Sequence, residues 1–326
     1  MNILIVGLGS IAKKHVAALR ATETDATIFA LRSSPDAEVF ENVRNIRTLE
    51  ELPVTPDFAI ISNPTHLHLP SIRQMLPLRC PLFIEKPVVR TVAEAEQLLT
   101  LLPADAVTYV ACHLRHHPCL QFVREQLLAR RPQVNEVSAY CGSFLPEWVP
   151  GKDWKKSFRF DPAQSGGVHM ELIHEMDYIH WVFGTPAAVS GTVRSVSSLH
   201  MPAPFGSAQG ALSDEWSRAE RGVERAPDFA HYVLTYDTFA ATITLNYYRR
   251  DAKRTLEIVF GDQTWLVDLL RFTVEANGKQ VFFSPLKTPD LYRLQMEYFL
   301  RCLKTGGQPM NSVQEACGVL RAALQV

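Results

Sequence analysis

The sequence predicts an α/β protein in which an N-terminal doubly wound parallel sheet precedes a second α/β unit with a large, mostly antiparallel sheet. Three observations carry this. Strand and helix signals alternate up to residue 111; beyond residue 118 the chain becomes strand-rich, with several short connections. The length, 326 residues, is long for one domain and comfortable for two.

Asn2 to Val6 is a compact β-branched run, followed at once by Gly7-Leu8-Gly9-Ser10-Ile11-Ala12 and helical periodicity through Arg20. This is G-x-G-x-x-A at a strand-to-helix turn. Gly7 permits the tight turn, Gly9 lets a pyrophosphate approach the backbone, and Ala12 allows close helix–strand packing. The helix start, with Ser10 and Ile11, offers oriented N–H donors to an anion. Further strands are expected at Ala26 to Leu31, Phe58 to Ser62, Leu82 to Ile84 and Val107 to Ala111. One intervening helix opens with a capping box at Thr91 and Glu94. Ligands of such sheets bind beyond the carboxyl ends of the strands, where Glu85 and Lys86 stand in FIEKPV.

The second strand ends Ala30-Leu31-Arg32-Ser33-Ser34, with no acid. A carboxylate there would accept from a ribose 2′-OH and repel a 2′-phosphate, whereas Arg32 and Ser33 would bind the phosphate. NADP(H) is therefore favoured over NAD(H).

In the second part, strands are expected at Val134 to Tyr140, Val189 to Val196, Ala230 to Tyr236, Ala240 to Tyr248, Thr255 to Phe260 and Thr264 to Asp268. A single helix, Gly166 to Gly184, interrupts them. Leu172, Met176, Ile179 and Phe183 share one side; Glu171, His174, Asp177, Tyr178 and Trp181 share another. Aromatics beside titratable groups suit a cleft for a polar, ring-shaped ligand. His174-Glu175 fails as the zinc motif H-E-x-x-H, because position 178 is Tyr, and no metal is expected. Six cysteines without a C-x-x-C pair read as free thiols of a reducing cytoplasm. Net charge is −1, with no long charged block, so nucleic acid and membrane surfaces are poor partners. MNILIVGLGS reads as a strand rather than a signal peptide, and no run approaches the roughly 20 apolar residues of a membrane span.

Four motifs in order, GLGSIAKKH (7–15), SNPTHLH (62–68), FIEKPV (83–88) and the glycine-pair helix with His174 and Asp177, resemble the Gfo/Idh/MocA oxidoreductase family. HLRHHP (113–118) resembles that family's link between domains. The resemblance implies a Rossmann domain at 1–118 and a substrate-binding and oligomerisation domain at 119–326, the C-terminal helices being free to pack back on the first. It implies an open sheet that joins copies into a homodimer or homotetramer. It places the matched Asn63, Pro64, His66, His68, Glu85, Lys86 and Arg115 around the cofactor, and sets Lys86 and His174 on the substrate. The family's usual Asp lies four residues before the helix histidine, but position 170 is Met; Glu171, one residue on, is the candidate substitute. The H-E-x-D-Y form resembles a branch associated with surface glycans and nucleotide sugars.

The resulting expectation is a dehydrogenase or reductase acting on a small sugar-like alcohol or ketone. Lys86 would bond the reacting oxygen, His174 would act as general acid/base, and Glu85 would orient Lys86 or contact the backbone. A cofactor-assisted glycosidase and a non-catalytic dinucleotide sensor are the alternatives. FLPEWVPGKDWKKSFRF (144–160) offers Trp154, Lys155 and Lys156, beside Asp177 and Tyr178, for an anionic sugar derivative, a nucleotide-linked one first. A loop merely stapled by its aromatics is the plainer alternative. The interval 200–227 has no assignment.

Overall fold

A computed structural model of the chain describes all residues except 24, 35–38, 149–150, 152, 197–225 and 326, so most of the unassigned interval lies outside the described residues. The first sheet is wholly parallel, in the order β3-β2-β1-β4-β5-β6. Its strands are β1 (Asn2–Val6), β2 (Thr27–Leu31), β3 (Val43–Ile46), β4 (Phe58–Ile61), β5 (Leu82–Glu85) and β6 (Thr108–Ala111). Apart from β3, their interiors are largely apolar runs buried on both sides, as helix-covered parallel strands require. β3, missed in the sequence, is an edge strand whose VRNI exposes Arg44 and carries no continuous apolar signal. Helices α1 (Ser10–Thr22), α2 (His68–Met75) and α3 (Val92–Leu101) connect these strands. The capping box of α3 is half made: Thr91 Oγ1 accepts from the Glu94 amide at 3.1 Å, but the Glu94 carboxylate turns to Arg90.

The division expected after residue 118 falls at the first turn of α4 (Pro118–Arg130). The second sheet runs β14-β13-β12-β11-β7-β10-β9-β8 and is antiparallel except where β10 meets β7. Its strands are β7 (Val134–Phe144), β8 (Ala188–Arg194), β9 (Phe229–Thr235), β10 (Ala240–Asn246), β11 (Tyr248–Phe260), β12 (Thr264–Asp268), β13 (Thr273–Ala276) and β14 (Lys279–Phe283). Alternate residues such as Val137, Ala139, Ala241, Ile243 and Leu256 are buried on one face, while Ser138, Tyr140, Thr242 and Thr244 lie half-buried on the other. Two departures from the sequence reading have local causes. β11 runs on through YRRDAKR because its cations lie over rings: Arg249 and Lys253 over Tyr140 (5.2 and 5.1 Å), Arg250 over Phe144 (3.5 Å). The β13–β14 hairpin turns on Asn277-Gly278, both left-handed, a two-residue hairpin signal that was there to be read.

Helix α7 (Thr288–Thr305) returns to the first sheet. Its Met296, Phe299 and Leu300 complete the core that holds Ile3, Ile5, Phe58 and Phe83. Asn311, just before α8 (Val313–Leu324), exchanges bonds with Val110 of β6 at 2.7 and 2.8 Å. No helix among the described residues is long and apolar enough to cross a membrane.

Candidate active site

The turn after β1 has the form a dinucleotide needs. Gly7 sits at φ +81°, and a Cβ there would stand 2.8 Å from the Cα and Cβ of Asn63, so only glycine fits between the two loops. Around Gly9, by contrast, a Cβ would meet nothing within 4 Å. α1 begins at Ser10 with no side-chain cap and no acid in its first turn. Its leading amides, including those of Ser10, Ile11 and Ala12, thus face an open cradle that fits a pyrophosphate. At the end of β2, the Arg32 amide bonds Ile46, while its half-buried guanidinium makes no ion pair among the described residues; Ser33 is exposed.

The second loop is held by His68 rather than offered by it. This ring is buried, 2.9 Å from the Asn63 carbonyl and 3.2 Å from that of Val88, and burial lowers its pKa. It ties two loops together, which corrects the expectation of a direct cofactor contact. Asn63 donates to Ser71 at 2.8 Å, leaving Oδ1 buried without a partner; His66 likewise has an unpartnered Nδ1, and Pro64 opens the turn between them.

Glu85 is also committed inward. One carboxylate oxygen lies 2.6 Å from Nε2 of the fully buried His15 on α1, and the other accepts the Lys86 amide at 3.2 Å. Both oxygens thus have a partner within the protein, and each keeps a lone pair for a further donor. The Lys86–Pro87 bond is cis. Lys86 reaches the other way, its Nζ donating to the Glu171 carbonyl at 2.9 Å and lying 3.9 Å from Oε1 of that residue.

The expected single helix is two: α5 (Val168–Glu171) and α6 (His174–Phe183), broken where Leu172 leaves helical geometry at φ −102°, ψ 29°. The glycine pair sets the approach. A Cβ on Gly166 would meet the Phe158 carbonyl at 2.5 Å, and the Gly167 amide (φ +128°) donates to Arg159 at 2.9 Å. The short 3-10 turn Phe158–Phe160 is thereby held against the start of α5, and Arg159 reaches Glu171 Oε2 at 3.1 Å. Glu171 therefore lies between Lys86 and Arg159, while the break makes His174 the first residue of α6.

His174 is buried and meets His113 edge to face at 4.5 Å. His113 stacks on Tyr292 at 4.8 Å, and the ammonium of Lys14 covers Tyr292 at 4.8 Å. Desolvation, with repulsion from His113, Lys86 and Arg254, holds His174 well below the ordinary histidine pKa, and it is neutral at pH 7. Arg254 is itself fixed by a two-pronged bond to the wholly buried Glu175 (2.6 and 2.9 Å). His113, Arg159 and Arg254 were not identified as site residues from the sequence: the partners of His113 and Arg254 lie 61 and 79 residues away, while Arg159, 12 residues from Glu171, stood unremarked inside the 144–160 segment, as His113 did inside HLRHHP.

Three expectations are corrected outright. Asp177 and Arg115 are buried on each other rather than presented to a cleft or a cofactor: they bond at 2.8 to 3.2 Å, each side chain 2% exposed. Tyr178 is fully buried, its hydroxyl without a partner among the described residues. The helix break and the packing of α6 turn both positions inward. Trp154 meets Phe160 edge to face at 4.9 Å and packs on the core; Lys156 is exposed, and the Lys155 side chain lies outside the described residues. No His, Cys, Asp and Glu group suited to a metal occurs among the described residues.

A parallel sheet with an uncapped glycine turn, joined to a constellation of half-buried Lys86 and Glu171 with buried His174, defines an NAD(P)-dependent dehydrogenase. Residues 1–113 match the GFO/IDH/MocA model described as an oxidoreductase family with an NAD-binding Rossmann fold, and residues 133–267 match the GFO/IDH/MocA C-terminal domain. The chain belongs to the Gfo/Idh/MocA oxidoreductase family. Among solved structures it is similar to UDP-N-acetylglucosamine 3-dehydrogenase GnnA from Acidithiobacillus ferrooxidans, at 20% identity and a TM-score of 0.76, covering 100% of this chain and 96% of that one. It is similar to levoglucosan dehydrogenase in complex with NADH and levoglucosan, at 14% identity and a TM-score of 0.79, covering 99% and 95%. The WlbA dehydrogenase from Bordetella pertussis, in complex with NADH and UDP-GlcNAcA, gives 17% identity and 0.74, covering 99% and 95%. At these identities the likeness is one of fold.

Proposed function

We propose that this enzyme oxidises or reduces a hydroxyl or keto group of an anionic sugar derivative, a nucleotide-linked sugar ahead of a free sugar acid, and prefers NADP(H) to NAD(H). The observation that carries the reading is the convergence of the Lys86 ammonium, Glu171 and a neutral His174 beside the carboxyl edge of the parallel sheet. Ser10, Ile11 and Ala12 would hold the pyrophosphate, and Arg32 with Ser33 the 2′-phosphate. When bound, the nicotinamide supplies hydride exchange with the substrate carbon.

The chain's own residues handle the proton and the charge. Lys86 donates to the substrate oxygen and stabilises alkoxide character. His174, kept neutral by burial and by neighbouring cations, takes the hydroxyl proton or returns it. Glu171, gripped by Arg159, steers Lys86 through its carbonyl and its carboxylate. The likeness to GnnA, a UDP-N-acetylglucosamine 3-dehydrogenase, and to WlbA in complex with UDP-GlcNAcA supports the nucleotide-linked class. The same reading takes the outer face of the second sheet as the contact between copies in a homodimer or homotetramer.

The test is a screen of sugars and sugar nucleotides followed at the NADPH absorbance, with Lys86→Ala and His174→Ala beside the wild type. Each variant should bind cofactor and fold while turnover falls at least about 10²-fold, the scale of general acid/base assistance. Reduced cofactor should change one for one with product. Normal turnover in His174→Ala, or product formed without net cofactor change, would refute the reading.

A further inference from the structure

His15 lies eight residues beyond Gly7 in GLGSIAKKH, too deep in α1 for a pyrophosphate contact, and the mechanism above does not use it. Its ring is 0% exposed, its edge against Phe83 at 4.9 Å, and its polar contact is the 2.6 Å bond to Glu85. Glu85 and Lys86 are consecutive, so a carboxylate and an ammonium leave the end of β5 side by side. Left alone in a site of low polarity, such a pair would close on itself. Instead the acid turns toward α1 and the base toward α5. The other Glu85 oxygen holds the Lys86 amide, so the bond to His15 also fixes the backbone from which the lysine extends.

We propose that His15 is a positioning residue for Lys86: by engaging the Glu85 carboxylate, it keeps that acid off the Lys86 ammonium and leaves the ammonium for a substrate oxygen. The inference rests on the reading of Lys86 as the group that meets the substrate. It also gives α1, whose first turn cradles the dinucleotide, a direct mechanical link to the reacting end of β5. His15 touches neither ligand; it acts through Glu85.

The experiment is pulse acetylation of the full chain at fixed pH, with the modified lysines quantified by peptide mass analysis and the exposed Lys279 as internal reference. In His15→Leu, the released Glu85 pairs with Lys86 and keeps its nitrogen protonated. Labelling of Lys86 relative to Lys279 should then slow about tenfold, the effect of an opposite charge brought into contact. The double variant His15→Leu/Glu85→Gln should recover the wild-type rate. Unslowed labelling in His15→Leu, or slowing that persists in the double variant, would overturn the proposal. Glu85→Gln alone preserves the shape of the site and serves if His15→Leu does not fold. It should label within about twofold of wild type, because the acid is already engaged by His15; a tenfold rise would show Glu85 acting on the ammonium in the native protein and would equally overturn it. Turnover of Lys86→Ala judges the catalytic reading separately, since labelling requires no substrate.

Discussion

Replacing Asp177 by Ala should unfold the protein more readily without acting first on substrate affinity. In the native chain Arg115 spans Asp177 with Nε and Nη2 at 2.8 to 3.2 Å, and Nη2 also donates to Asn311 at 3.1 Å. Both charged side chains are 2% exposed, and the nearest other acid, Glu315, stands 3.9 Å away with half its side chain in solvent. Asp177→Ala therefore strands a guanidinium in the interior, with one amide oxygen and a distant carboxylate for company. Breaking a buried pair from one side costs about 3–5 kcal/mol. With a urea m-value of about 3 kcal/mol/M, the midpoint should fall by about 1–1.7 M, read by far-UV circular dichroism. Arg115→Met/Asp177→Leu, which removes both charges at similar volume, should regain most of that loss. Asp177→Ala unfolding at the wild-type midpoint while KM for the best substrate rises would refute the buried-strut account and return Asp177 to the cleft.

Arg32→Ala should weaken NADPH binding about tenfold or more and leave NADH nearly unchanged, since one charge-assisted phosphate contact is worth roughly 1.5–3 kcal/mol; equal losses in fluorescence titration would count against a 2′-phosphate site. Stability should fall on mild acidification. His116 and His117 are held down to about 4, chiefly by desolvation, below the ordinary value near 6.5 that the unfolded chain regains. The unfolded state binds more protons between those limits, so their contribution is complete above about pH 6.5 and is lost as pH falls toward 4. That shift corresponds to roughly 3 kcal/mol per histidine, and His113 and His174 act in the same direction. A melting temperature that stays flat from pH 7 to 5 would contradict it. Lys155→Ala/Lys156→Ala should raise KM for an anionic substrate and leave cofactor affinity alone; wild-type kinetics, or an uncharged best substrate, would reduce the 144–160 segment to packing.

What was legible in the sequence is what local geometry dictates. The G-x-G-x-x-A turn could be read because β-branched residues, two glycines and helical periodicity each constrain the backbone within a few residues. Lys86 at the end of an apolar strand, and the glycine pair before His174, were visible for the same reason. The Asn277-Gly278 hairpin is equally local, its turn set by two adjacent left-handed residues. Tertiary structure decided how these charges are shared. Periodicity put Glu171, His174 and Asp177 on one side of a continuous helix, and a break at Leu172 set Glu171 on one helix and His174 with Asp177 on the next. Asp177 then found Arg115, Glu175 found Arg254, and Glu85 found His15, partners 62, 79 and 70 residues apart. A 3.6-residue repeat fixes which side chains share a face but carries no information about what is packed against it. For a carboxylate out of water, the neighbouring surface decides whether it braces the core or meets a substrate.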